Sequence, residues 1–200
     1  MAVYIIIGVI LVVVTGFFFA FPSPKKTYKK QPIVRVRTTT ARHEQAEPPE
    51  NRYYDLRRMA LKVTPELLGL KNMGRVTHVF GVVIDWKSDN GTVTVAAYQT
   101  GDASIYFSAG GGIMGGGVYR KVRNAVFPLV KHAEDYVGKS EKTVTTLLPD
   151  RDSVGFYLLT NNGTFYAQEE RKHIDYGTSD WCTLFNDANN VLTKLRQEAG

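Results

Sequence analysis

The sequence predicts an α+β domain preceded by one transmembrane helix, and three observations carry that expectation. Runs of β-branched and aromatic residues flank two Asn-Gly pairs, Asn90-Gly91 and Asn162-Gly163, as in tight antiparallel hairpins. Two later segments repeat apolar residues every three or four positions, as helices packed on a sheet do. Residues Val3 to Phe21 carry no charge. The expected domain is therefore a single antiparallel sheet built from two hairpins plus short strands. A long middle helix and an amphipathic C-terminal helix complete it.

The uncharged run "VYIIIGVILVVVTGFFFAF" reaches about 28 Å as a helix, close to the hydrocarbon thickness of a bilayer. Nothing basic precedes it and bulky aromatics surround Ala20, which fits an uncleaved membrane helix over 3–21 better than a signal peptide. Lys25, Lys26, Lys29, Lys30, Arg35 and Arg37 follow directly, so the positive-inside rule places the C-terminal side in the cytoplasm of a single-pass cell-membrane protein. The four lysines also suit anionic lipid headgroups, at about 1 kcal/mol each; a plain stop-transfer flank explains them equally well. From 22 to 51 the prolines and charges predict a basic, mobile stalk, with a short strand conceivable in "PIVRVRTTT". The cytoplasmic domain is then 52–200.

Charge supports this division. Between Phe21 and Val63 eleven basic residues oppose four acidic ones, whereas from Val63 onward fourteen oppose fifteen. A nucleic-acid-binding domain needs a basic face on the folded part, so no nucleic-acid partner is expected.

Within the domain, "YYDLRRMALKV" and "TPELLGL" predict one or two short helices, with Thr64 as cap and Pro65 at the first helical position. Hairpins follow over 76–100 and 153–170, each with a type I′ turn on its Asn-Gly pair. Between them lie a strand "ASIYFS", the glycine segment and a helix over 118–137. Val118, Val122, Ala125, Leu129 and Ala133 form its buried stripe, and Pro128 should bend or split it. "TVTTLL" predicts a further strand. The last helix, 180–197, aligns Trp181, Leu184, Phe185, Ala188, Val191, Leu192 and Leu195.

The segment "YFSAGGGIMGGGVYRK" is the candidate site. Gly110, Gly111, Gly112, Gly115, Gly116 and Gly117 precede a helix that opens with Arg120 and Lys121. Gly110, Gly112 and Gly115 satisfy G-x-G-x-x-G, but an antiparallel meander lacks the parallel βαβ unit that fingerprint opens. A phosphate loop fails because no Lys-Ser or Lys-Thr follows the glycines. Three readings stay open: an anion held by free N–H groups with Arg120 and Lys121 nearby, glycines that let a helix cross close over a sheet, or a loop that binds a partner.

Ser104 to Gly117, Phe156 to Thr160 and Trp181 to Leu195 together resemble an uncharacterised group of small bacterial proteins. Its members share a "SxYFSxGGGIxGGG"-like signature, a downstream "FYLLT" strand and an amphipathic C-terminal helix. The resemblance spans Val76 to Leu195 and implies no activity or catalytic residue. The element order is also similar to that of profilin-like and roadblock-type domains, which implies dimerising or scaffolding modules.

Other chemistry is sparse. Cys182, the one cysteine, excludes an intrachain disulfide. His43, His78, His132 and His173 are scattered, and only His132 and Asp135 share a helix face. Asp85 and Asp102 would act as paired carboxylates only if the fold joined them. No metal site, cofactor or catalytic group is expected. The sequence thus favours a non-enzymatic module that binds a protein partner or forms a homodimer. A ligand sensor or enzyme built on the glycine loop is the alternative.

Overall fold

A computed structural model describes residues 49–71 and 73–199. The expected membrane helix, the stalk lysines and the conceivable strand at 32–40 lie outside them. Among the described residues no helix is long and apolar enough to cross a membrane.

The domain is α+β, with one seven-stranded antiparallel sheet. A helix α1 (Pro49–Leu61) comes first. It is followed by β1 (Val79–Ser88), β2 (Gly91–Tyr98), β3 (Ala103–Phe107) and β4 (Gly112–Ile113). Helix α2 (Arg120–His132) leads to β5 (Glu141–Thr143), β6 (Ser153–Thr160) and β7 (Gly163–Glu170). The short α3 (Arg171–Asp175) and the long α4 (Cys182–Ala199) close the chain. The strand order is β4-β3-β2-β1-β6-β7-β5, with both long hairpins side by side at the centre.

Both faces of the sheet are covered. Val82, Ile84, Trp86, Val95, Phe156 and Leu158 pack under α2 and α4. Val83, Ala96, Tyr98, Tyr106, Tyr157 and Leu159 pack on the opposite face with Tyr53, Ala60 and Leu61 of α1. Burial from both sides explains why every residue of β6 is buried, where a one-sided strand would alternate.

The hairpin turns differ from expectation by one position. Ser88 pairs with Gly91 and Thr160 with Gly163, so the loops close on Asp89-Asn90 and Asn161-Asn162. Each glycine becomes the first residue of its strand, at φ +110° and +104°, a backbone conformation that glycine adopts without strain. Ser88 and Thr160 lock the two turns alike, each hydroxyl donating to the carbonyl of the glycine. The shift places Asp85 opposite Thr94, whereas the expected turn would have set it against Ala96.

Other boundaries also move. Helix α1 begins inside the expected stalk. Thr64 to Leu70 forms only tight turns, closed by bonds such as Leu68 N–H to the Thr64 carbonyl. The middle helix starts at Arg120 and continues past His132 as a 3-10 stretch, Ala133–Lys139. Pro128 neither splits it nor ends it, because Asn124, Phe127, Pro128 and Lys131 form the solvent side. The strand expected in "TVTTLL" is displaced to Glu141–Thr143, on β7. The carbonyls of Thr146 and Leu147 are taken by side chains instead of a ladder.

Candidate functional site

The six glycines do not form one loop. Gly110 and Gly111, at φ +103° and +85°, turn β3 back onto β4. Gly112 lies in β4, paired with Tyr106; a Cβ there would sit 2.5 Å from the Ile105 carbonyl oxygen. Gly115, at φ +75°, precedes a 3-10 turn over Gly116–Val118. Gly116 is buried, and a side chain on it would run into Leu195 of α4. The segment is thus a hairpin followed by a close helix crossing, both of which need glycine.

Protein groups occupy the polar atoms beside α2. The Gly117 N–H donates to Asp102 Oδ1 over 2.8 Å, and the Ala103 N–H donates to the same oxygen over 3.0 Å. Asp102 thereby ties the 3-10 turn that precedes α2 to the start of β3. Arg123 Nη1 donates to the Gly117 carbonyl over 2.6 Å. Arg120 and Lys121 are exposed, and Lys121 Nζ lies 2.9 Å from Glu198 Oε1 on α4.

The most heavily bonded buried group lies on the other face. Arg57 of α1 meets Asp85 of β1, with Nη2 to Oδ2 at 2.6 Å and Nε to both carboxylate oxygens at 3.0 and 3.1 Å. Their side chains are 5% and 0% exposed. Thr94 donates its hydroxyl to Asp85 Oδ1 over 2.6 Å. Its single hydrogen is then committed, so Tyr53, 2.8 Å away, donates to it. Burial opposes the Arg57 charge, but the bonds to Asp85 and its charge outweigh that and hold the guanidinium more firmly protonated than usual.

The same guanidinium reaches outward. Arg57 Nη1 donates to the Thr146 carbonyl over 2.6 Å and Nη2 to that of Leu147 over 3.1 Å. Tyr157 adds its hydroxyl to the Leu147 carbonyl. The segment after β5 is therefore pinned from beneath, while Val144 is 99% exposed and Leu147 72% exposed. Two exposed apolar side chains thus stand on a segment whose Thr146 and Leu147 carbonyls are held in place.

The sequence did not single out Arg57, Val144 or Leu147. The usable signal for Arg57 was its place in the stripe Tyr53, Arg57, Ala60 and Leu61, which an apolar count skips. Asp85 and Asp102, considered as a pair, are held by different partners. His132 pairs with Asp187 of α4 at 2.7 Å. Among the described residues no group of three or more His, Cys, Asp and Glu could hold a metal ion.

Compared with known proteins, the chain matches no family, no curated protein and no solved structure.

Proposed function

We propose that the chain is a single-pass, membrane-tethered protein whose cytoplasmic α+β domain is a self-associating interaction module. The observation that supports this reading is the segment following β5. Its backbone is fixed by Arg57 and Tyr157, and its apolar side chains Val144 and Leu147 point to solvent. Binding such a surface costs little ordering entropy, because the backbone is already held. Helix α1, which carries Arg57, is the first described element of the domain. The uncharged run at 3–21 and the lysines after it support the anchor and its sidedness.

Sedimentation velocity of the full chain in density-matched detergent tests the reading. A dimer is expected, and Val144→Asp with Leu147→Asp should return a monomer of unchanged melting temperature. A wild-type monomer, with photo-crosslinks from position 144 that reach no other polypeptide in the membrane, would overturn it.

A further inference from the structure

A cleft of about 550 Å³ opens where the tip of the β1–β2 hairpin, the glycine turn and α4 meet. Its size is that of a small-molecule site. Trp86, Val93, Phe107 and Leu192 give it an apolar wall. Arg196 lies across the Phe107 ring, its guanidinium carbon 5.5 Å from the ring centroid. No ion pair among the described residues engages Arg196, the one cation of a cleft whose one carboxylate is Asp89. Ala109 lines the same cleft, and its N–H has no acceptor among the described residues. Asn189 lines it too, its amide donating to the Phe185 carbonyl over 3.1 Å.

We infer that this cleft binds a small organic anion with a flat apolar body, of the aromatic carboxylate class. The ring lies against Trp86, Phe107 and Leu192, and the carboxylate takes Arg196 with the Ala109 N–H. A planar guanidinium already oriented on an aromatic face matches a carboxylate's two oxygens. Asp89 lines both this cleft and a neighbouring polar one that contains Lys87, Arg151 and Arg171. It stands on the ridge between them and disfavours a second negative group at that end. Of the glycine segment, Gly110 alone lines the cleft, and Arg120 and Lys121 are not among the lining residues. The cation is supplied by α4. This site is independent of the surface at Val144 and Leu147.

The test is fluorine NMR of 4-(trifluoromethyl)benzoate titrated into the full chain in detergent. Saturable line broadening is expected with wild type and with Arg120→Ala. Binding should weaken at least tenfold in Arg196→Gln, and should be lost in Leu192→Trp, which fills the cleft without touching the charge. Trp86 gives a second readout: in a Trp181→Phe background its emission should change on titration with the same half-saturation. Broadening that never saturates, or equal affinity in Arg196→Gln, overturns the assignment. Binding that survives Leu192→Trp overturns it as well.

Discussion

Arg57 Nη2 and Asp85 Oδ2 lie 2.6 Å apart with essentially no solvent on either side chain. They join the first helix to a central strand. A fully desolvated pair of this kind adds little net stability over a hydrophobic pair of the same volume, because removing both charges from water offsets their attraction. Its value lies in selecting one docking of α1, and in ordering the Thr146 and Leu147 carbonyls that share the guanidinium.

The clamp predicts an asymmetry between single and double replacement. Asp85→Asn strands a buried guanidinium and should cost about 3–5 kcal/mol in urea unfolding. Arg57→Met with Asp85→Leu should recover most of that loss. The recovered protein should still show faster proteolysis after β5, because the Thr146 carbonyl loses its donor and the Leu147 carbonyl keeps only Tyr157. A double variant as unstable as Asp85→Asn would refute the account.

Tyrosine burial predicts a sharp alkaline limit. Burial, the largest cause in each case, pushes Tyr53, Tyr98, Tyr106, Tyr157 and Tyr166 above the ordinary tyrosine value. A group whose pKa is raised on folding stabilises the protein below its unfolded pKa, about 10. That contribution is lost as pH rises through the folded value. Each such group removes up to roughly 1.4 kcal/mol per pH unit. Stability should fall steeply above about pH 10. Tyrosinate absorbance from these residues should then appear together with loss of far-UV ellipticity. Gradual ionisation of a folded domain would contradict it.

Glycines of the same segment should respond differently to alanine. At Gly116 the added methyl meets Leu195, which is 1% exposed and has no room to yield; overpacking of this kind costs about 1–3 kcal/mol. At Gly110 nothing lies within 4 Å of the new atom, and only the φ of +103° resists it. Leu195→Val should therefore rescue part of the Gly116→Ala loss and none of the Gly110→Ala loss. Equal coupling of both glycines to Leu195 in a double-mutant cycle would count against the packing argument.

The helices and hairpins were legible because their signals are local and periodic. Val122, Ala125, Leu129 and Ala133 are buried as their spacing requires, and so are Leu184, Phe185, Ala188, Val191 and Leu195. The turn register was not legible, since Asn-Gly suits both a two-residue turn and a turn followed by a left-handed glycine. The strand expected in "TVTTLL" failed for a non-local reason: Arg57, about ninety residues earlier, takes carbonyls that a ladder would have used. The cleft was hidden similarly. Asn189, Leu192 and Arg196 share one helix face, but that face acquires meaning only when α4 crosses beside the glycine turn.

Thr94 provides the most discriminating test of register. It accepts from Tyr53 and donates to Asp85 only because the turn closes on Asp89-Asn90. Thr94→Val keeps the shape and removes both bonds, leaving Tyr53 without an acceptor and Asp85 without one donor. Unsatisfied buried groups cost about 1–3 kcal/mol each, so Thr94→Val should lower stability by roughly that much or more. Tyr53→Phe removes only the outer donor, and since Thr94 can still serve Asp85, it should cost about 1 kcal/mol. Adding Tyr53→Phe to Thr94→Val should then be neutral or restoring, because no phenol is left stranded. If Asp85 faced Ala96 instead, Thr94→Val would be nearly silent, and the Tyr53→Phe loss would persist unchanged in the double variant.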